Sequence, residues 1–317
     1  MNLKKLRESY RSTLKSSDTE ETIDLMFYRP IGYVWAIIAR SLGIHPNAIT
    51  IASIFLGIGA GVMFYFDPLW MNIIGMVLLI WANSFDSADG QLARLTGQFS
   101  RIGRILDGMA GDLWFIAIYV AICLREPRTS HFFMEHPWAI WVIAAVAGIS
   151  HVKQAAVADL YRQFHLYFLK GKDDSELETS YELKRQLAKV PHRKFWKRLI
   201  LIFYIGYTIQ QEATTPDMQR FRKTMRHYWP DGYIPQWLRT QFREKSLPLM
   251  KYTNILTFNW RSIALFVALF ARMPWLYFAF EIVVLNIVMI YMMLKHERIC
   301  KYFTAELNAR AALNELN

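Results

Sequence analysis

The chain has 317 residues, 54% of them hydrophobic and 15% aromatic, richer in both than an ordinary soluble domain and in keeping with a membrane protein. Its two cysteines, Cys123 and Cys300, exclude a disulfide framework and a cysteine-ligated zinc or iron–sulfur centre, so any metal has to be held by oxygen or histidine. The formal charge of +11 fits either nucleic acid or an anionic membrane surface, and its distribution along the chain has to decide between them.

The first 25 residues, MNLKKLRESYRSTLKSSDTEETIDL, lack the apolar run of a cleavable signal peptide. An interfacial helix is expected near Tyr28 to Leu42, started by Pro30 and anchored at headgroup level by Trp35 and Arg40. Residues 1–45 therefore read as a cytoplasmic N-terminus ending in that helix. Crossing about 30 Å of hydrocarbon takes about 20 mostly apolar helical residues. Ala48 to Phe66, Leu69 to Ser84, Ile105 to Leu124 and Trp138 to Ala158 are such runs, which makes residues 46–160 a block of four spans. Ile255 to Ala271 and Trp275 to Leu294 supply two more, which with a tail fill residues 251–317. The expected fold class is all-α: a polytopic membrane bundle of six transmembrane helices with an N-terminal interfacial helix. Short connections near Asp67, Arg125 and Arg272 share one side, while Arg94, Arg101, Arg104 and the tail cations Lys295, Arg298 and Lys301 share the other with the N-terminus. The excess of Lys and Arg marks that second face as cytoplasmic.

Between the second and third spans stands DSADGQLARLTGQFSRIGRILDGMAGD, from Asp86 to Asp112. Carboxylates beside hydrocarbon are costly and rare, so Asp86, Asp89, Asp107 and Asp112 form a candidate functional site, weighed against a plain solvated loop. Asp86 and Asp89 are three apart and neighbours on one helix face. Gly90 follows, where the missing side chain lets a ligand approach the backbone. Clustered ionised acids repel one another, and a divalent cation relieves the repulsion; all-oxygen ligands suit Mg2+ or Mn2+, metals that bridge the phosphates of nucleotide substrates.

This stretch resembles the signature of the CDP-alcohol phosphotransferase (CDP-alcohol phosphatidyltransferase) family. Asp86, Asp89, Gly90, Ala93, Arg94, Gly103 and Asp107 all fall in register, with eight residues between Arg94 and Gly103. HPNAIT, His45 to Thr50, is similar to the Pro-Asn-x-x-Thr stretch that opens the first span in many members. The resemblance covers residues 30–160 well and the last two spans loosely, and it leaves the insertion described below outside. It implies metal-dependent transfer of a substituted phosphate from a CDP-linked donor to a hydroxyl acceptor, with release of CMP. It also implies that Asp86, Asp89, Asp107 and Asp112 bind metal, that Gly90, Ala93, Arg94, Gly103, Asn47 and Thr50 surround the CDP group, and that Asp112 and Asp107 are catalytic. One position departs: the family's fourth acid, its general base, falls where this chain has Gly111, and the acid is Asp112. Residues 107 and 111 share a helix face, whereas 112 points about 100° further round. A one-residue π widening near Gly108 and Gly111 is therefore expected, turning Asp112 into the site.

Residues 161–250 are of mixed charge, and two strings in them, Lys184 to Tyr207 and Arg220 to Trp229, interleave cations with aromatics, as single-stranded nucleic-acid surfaces do. Beside membrane spans these strings are expected to lie on anionic headgroups, making the segment a basic cytoplasmic insertion whose partners are membrane lipids and not nucleic acid. The run Leu199 to Tyr207 is too short to span.

Inside the later spans, His151, Lys153, Asn254, Asn259, Arg261 and Glu281 are polar. An unpaired cation at the depth of Arg261 costs about 3 kcal/mol on insertion scales, so it either pairs with Glu281 or clamps an anionic acceptor, with Lys153 and His151 as further acceptor candidates. Such cations favour CDP-diacylglycerol as donor and inositol phosphate or another polyol phosphate as acceptor. The setting would be phospholipid biosynthesis at the plasma (inner) membrane, with the active site facing the cytoplasm. Transfer of a CDP-amino alcohol or other CDP-headgroup to diacylglycerol or ceramide leaves the same motif in place. Gly111 leaves room for a third reading, a catalytically inactive membrane scaffold, and a homodimer is compatible with all three.

Overall fold

Among the described residues, which in this computed structural model are 3–14, 16, 18–99, 101–171 and 177–313, every regular element is a helix. α1 (Leu3–Ser12) leads to a π turn (Asp24–Tyr28), α2 (Arg29–Ser41), α3 (Pro46–Phe64), α4 (Leu69–Thr96), α5 (Arg101–Thr129), the short α6 (His131–Glu135) and α7 (Pro137–Lys170). Then come α8 (Ser180–Lys189), α9 (Phe195–Thr214), α10 (Pro216–Tyr228), α11 (Gln236–Ser246) and α12 (Met250–Ile255). The chain ends in α13 (Phe258–Phe270), α14 (Trp275–Ala279), a second π segment (Phe280–Leu285) and α15 (Asn286–Ala312). Among the described residues six stretches are long and apolar enough to cross a membrane, as the hydropathy pattern leads one to expect. Phe55, Val77, Ile116, Val146, Val267 and Ile287 on these helices point outward, which suits a lipid solvent and not water. The protein is an all-α polytopic membrane bundle, and α2, with Pro30 in its first turn, fills the segment expected for the interfacial helix.

Helix ends differ from the hydropathy runs. α4 continues to Thr96 and α5 begins at Arg101, so Asp86 through Arg94 stand on a helix and not in a loop. Apolar patterning reports where lipid ends, whereas the backbone ladder continues until something breaks it. Here the break is Gly97, at a φ of 69°, a left-handed conformation that glycine adopts without a Cβ penalty. The side chains of Arg101 and Arg104, expected beside the motif, lie outside the described residues.

By packing, the chain divides into two compact units, Met1–Ile149 with Phe258–Ile282, and Ser150–Thr257 with Val283–Asn317. In the first, α3 lies against α4 and α5. Its small residues set the spacing: a Cβ at Gly57 would fall 2.0 Å from Cδ1 of Trp114, and one at Gly61 would fall 2.9 Å from Ala117. Close approach through small residues is how membrane helices gain contact where no hydrophobic force draws them together. Phe64, Leu79, Trp114, Ile118, Leu265 and Phe278 fill the core. About 25 Å along α4 from Asp89, the buried Arg125 of α5 donates to the Phe64 carbonyl at 3.1 Å, to Asn72 Oδ1 at 2.9 Å and to Asp67 Oδ1 at 2.9 Å, tying the α3–α4 turn to α5.

The second unit has its own core of stacked rings. Phe168 and Phe242 lie 3.9 Å apart between centroids, with Phe164, Phe221 and Phe303 around them. Gln154 of α7 donates to Asn286 at 2.8 Å, and Asn286 donates to Ser150 at 3.0 Å, polar ties of the kind that hold spans together. α8 opens on a capping box in which Thr179 and Glu182 satisfy each other's backbone N–H groups.

Candidate active site

α4 presents Asp86 and Asp89 one turn apart, and α5 brings Asp107 to meet them. Taking one carboxylate oxygen from each, all three lie within 4.8 Å of one another. Oxygens on a single ion of metal–oxygen distance 2.0–2.6 Å are at most about 5 Å apart, so this donor set fits one hard divalent cation. Burial is graded: Asp89 is buried, Asp86 half-buried and Asp107 exposed.

Asp89 is held from below. The buried Thr50 hydroxyl on the first turns of α3 donates to its carboxylate. α3 begins where it does because Pro46 sits in its first turn and the His45 ring nitrogen Nδ1 accepts the Asn47 N–H at 3.2 Å. HPNAIT thus starts a helix and, through Thr50, delivers a hydroxyl to the motif.

Gly90 keeps space open. A Cβ there would come nearest the Arg94 guanidinium, 3.5 Å away. Arg94 donates from Nε to the Thr13 carbonyl at 2.6 Å, and its Nη2 is buried with no hydrogen-bond partner among the described residues. Ala93 and Gly103 are half-buried.

The N-terminal segment is a component that sequence reasoning missed. Arg29 pairs with Glu20 at 2.8 Å and reaches Ser87 at 3.4 Å, while Gln91 donates to the Arg29 carbonyl at 3.1 Å. Asn259 of α13 donates to Glu21 at 2.7 Å and to Asp24 at 2.8 Å. Burial pushes the Tyr28 phenol up to about 12, against a hydrogen bond with Asn83 and with help from the charges of Asp24 and Glu21. These partners stand far apart in sequence and follow no motif, so nothing in the linear pattern announces them.

Asp112 does not join the three carboxylates. α5 is α-helical throughout Arg101–Thr129, and Asp112 is exposed on it, outside the group. The expected widening is absent from α5; π geometry occurs instead at Asp24–Tyr28 and Phe280–Leu285. Two glycines cost a helix only about 2 kcal/mol, too little to break a ladder continued on both sides. A Cβ at Gly108 or Gly111 would meet nothing within 4 Å among the described residues.

Of the acceptor candidates, Arg261 is buried and ion-paired with Glu281, whose carboxylate also accepts from Tyr119 and, at 2.7 Å, from Tyr277. His151 is half-buried and Lys153 exposed on α7, in the other compact unit.

A family model described as CDP-alcohol phosphatidyltransferase matches residues 43–164, well under half of the chain but inclusive of every motif residue. The CDP-diacylglycerol–glycerol-3-phosphate 3-phosphatidyltransferase of Cereibacter sphaeroides is 36% identical over 78 residues, 24% of this chain and 35% of that protein. The archaetidylinositol phosphate synthase of Pyrococcus horikoshii is 36% identical over 84 residues, 26% of this chain and 43% of that protein. The chain thus spans less than half the length of either curated relative.

Proposed function

We propose that this protein transfers a substituted phosphate from a CDP-linked donor to a hydroxyl acceptor. The observation that carries the proposal is the convergence of Asp86, Asp89 and Asp107 from α4 and α5, in the register of the matched family. A divalent cation, Mg2+ or Mn2+, bound by these carboxylates would neutralise the pyrophosphate as its bond to the leaving CMP breaks. Thr50 keeps Asp89 oriented, in the way outer-shell partners hold metal-ligating groups. Gly90, Ala93, Gly103 and Asn47 border the space for the nucleotide, and the unpartnered Nη2 of Arg94 supplies an N–H for a phosphate oxygen. Asp107, the exposed member, takes the acceptor's hydroxyl proton as that oxygen bonds to phosphorus and CMP departs with the electron pair. Asp107 is proposed over Asp112, which stands on a regular stretch of α5 outside the three-acid group.

For the substrates, the proposal is CDP-diacylglycerol and a polyol phosphate such as inositol phosphate or glycerol phosphate. Both relatives' names contain a phosphorylated polyol, which supports this over transfer of a CDP-headgroup to diacylglycerol or ceramide. Arg261, with Glu281 as its resting partner, is the cation proposed for the acceptor's charge, and Lys153 and His151 remain candidates from the sequence alone. The setting proposed is the inner membrane with a cytoplasmic active site, in a monomer or a homodimer. The test is CMP release by the purified protein over a panel of donors and acceptors. Activity should vanish on chelation, return with Mg2+ or Mn2+, and be lost in Asp86→Asn, Asp89→Asn and Asp107→Asn. Full turnover in chelator, or no CMP from any pair, rejects the proposal.

A further inference from the structure

α9 is amphipathic in the wrong sense for a helix in water. Its outward side carries Phe195, 62% exposed, Ile202 and Ile209, recurring at steps of seven that keep one helix face, with Phe203, 71% exposed, beside Ile202. Its inward side passes from the buried Ile205, 7% exposed, to polar groups further along: Thr208 is 4% and Gln211 8% exposed. Gln211 donates to the Ala156 carbonyl at 2.8 Å, and Glu212 accepts from the Ser180 N–H at 2.9 Å. Tyr204, Tyr207, Thr208, Gln211 and Glu212 border a polar recess with Asp159 and Arg222. A helix surrounded by water turns its apolar side to the core. Polar groups facing protein and apolar groups facing out is the arrangement for a hydrocarbon surrounding.

Charge identifies which hydrocarbon. From residue 183 to residue 211 there is no Asp or Glu, whereas Lys184 on α8 and Lys189, Arg193, Lys194 and Lys197 around the α8–α9 turn are all exposed. Arg198 is tied to the Leu187 and Val190 carbonyls at 3.2 and 2.8 Å, which fixes the basic turn against the start of α9. A second protein copy would have to match an apolar face while facing an equally basic turn. A bilayer containing anionic lipids offers acyl chains and negative headgroups side by side.

We propose that α9 lies in the membrane interface, with Phe195, Ile202, Phe203 and Ile209 immersed among acyl chains and the α8–α9 turn on anionic headgroups. The insertion is on this account a membrane-embedded arm, an attachment additional to the six spans and independent of the catalytic proposal.

The test uses the full-length protein in nanodiscs of phosphatidylcholine with or without phosphatidylglycerol. Phe203→Cys and Ile209→Cys are each labelled with an environment-sensitive fluorophore, and Gln186→Cys, exposed on α8, serves as the aqueous control. The native Cys123 and Cys300 are buried. Labels at 203 and 209 should be quenched by spin-labelled acyl chains and shielded from iodide, with the reverse at 186. Lys194→Glu with Lys197→Glu should lower lipid quenching at 203 at least severalfold in phosphatidylglycerol nanodiscs. Iodide access at both 203 and 209 overturns the proposal, as does protection from both quenchers with crosslinking between copies at 203. Lipid quenching that is identical with and without phosphatidylglycerol and unchanged by the charge reversal overturns the anionic-lipid assignment.

Discussion

The Thr50 hydroxyl and the Asp89 carboxylate form a contact whose worth can be measured alone. Thr50→Val keeps the shape of the side chain and removes the donor, leaving the buried carboxylate without that hydrogen bond. Loss of such a supporting partner typically costs 10- to 100-fold in metal affinity or activity. Thr50→Val is therefore expected to raise the metal concentration for half-maximal CMP release by about that factor, and Thr50→Ser to restore most of it. Gly111 gives the opposite kind of prediction. A Cβ there meets nothing within 4 Å among the described residues, and residues 107 and 111 share a face, so Gly111→Asp should fold normally and add a fourth carboxylate beside Asp107. Asp112→Asn should keep turnover within a few-fold of the parent; a drop beyond about 100-fold, the size of a lost general base, would return that role to Asp112. At this scale the three convergent acids were legible in the sequence, because their spacing follows helix geometry and a known register. The part played by Thr13 was not: a backbone carbonyl that receives Arg94 across 81 positions leaves no mark on residue identity.

Helices carry these residues to their places, and the contact between α3 and α5 decides whether Asp107 reaches the pair on α4. Gly57 is the tightest point of that contact. A methyl group 2.0 Å from the Trp114 ring cannot be accommodated without displacing a helix or a buried indole, and overpacking of this kind costs about 1–3 kcal/mol or more. Gly57→Ala should lower the thermal midpoint in detergent and weaken metal-dependent activity together, while Gly59→Ala, whose Cβ would touch only Leu78 at 3.8 Å, should do neither. Retention of both properties in Gly57→Ala would show that α3 spacing does not govern the site. Helix existence was legible from apolar runs, but helix ends were not. α4 outlasts its apolar run by twelve residues, from Ser84 to Thr96, because backbone hydrogen bonds continue wherever a capping glycine has not yet stopped them.

For the whole molecule, the distribution of Lys and Arg leads to the prediction that the N-terminus, the insertion and the C-terminal tail share one side of the membrane. Cysteines placed at Ser180 and Ser130 should accordingly react with an impermeant reagent from opposite faces of sealed vesicles, and labelling of both from one face would break the six-span topology. The buried pair of Arg261 on α13 and Glu281 after α14 has a consequence for how the protein is made. Each charge alone would weaken its segment as a membrane helix by about 3 kcal/mol, and the two segments are joined by a tight turn in which Arg272 has a φ of 54°. During synthesis α13 emerges first, carrying a cation whose counter-charge is still about twenty residues inside the ribosome. It can therefore commit to lipid cheaply only once Glu281 has followed, so the last two spans enter the bilayer as a neutralised hairpin, and a ribosome stalled between them would leave α13 at the translocon mouth.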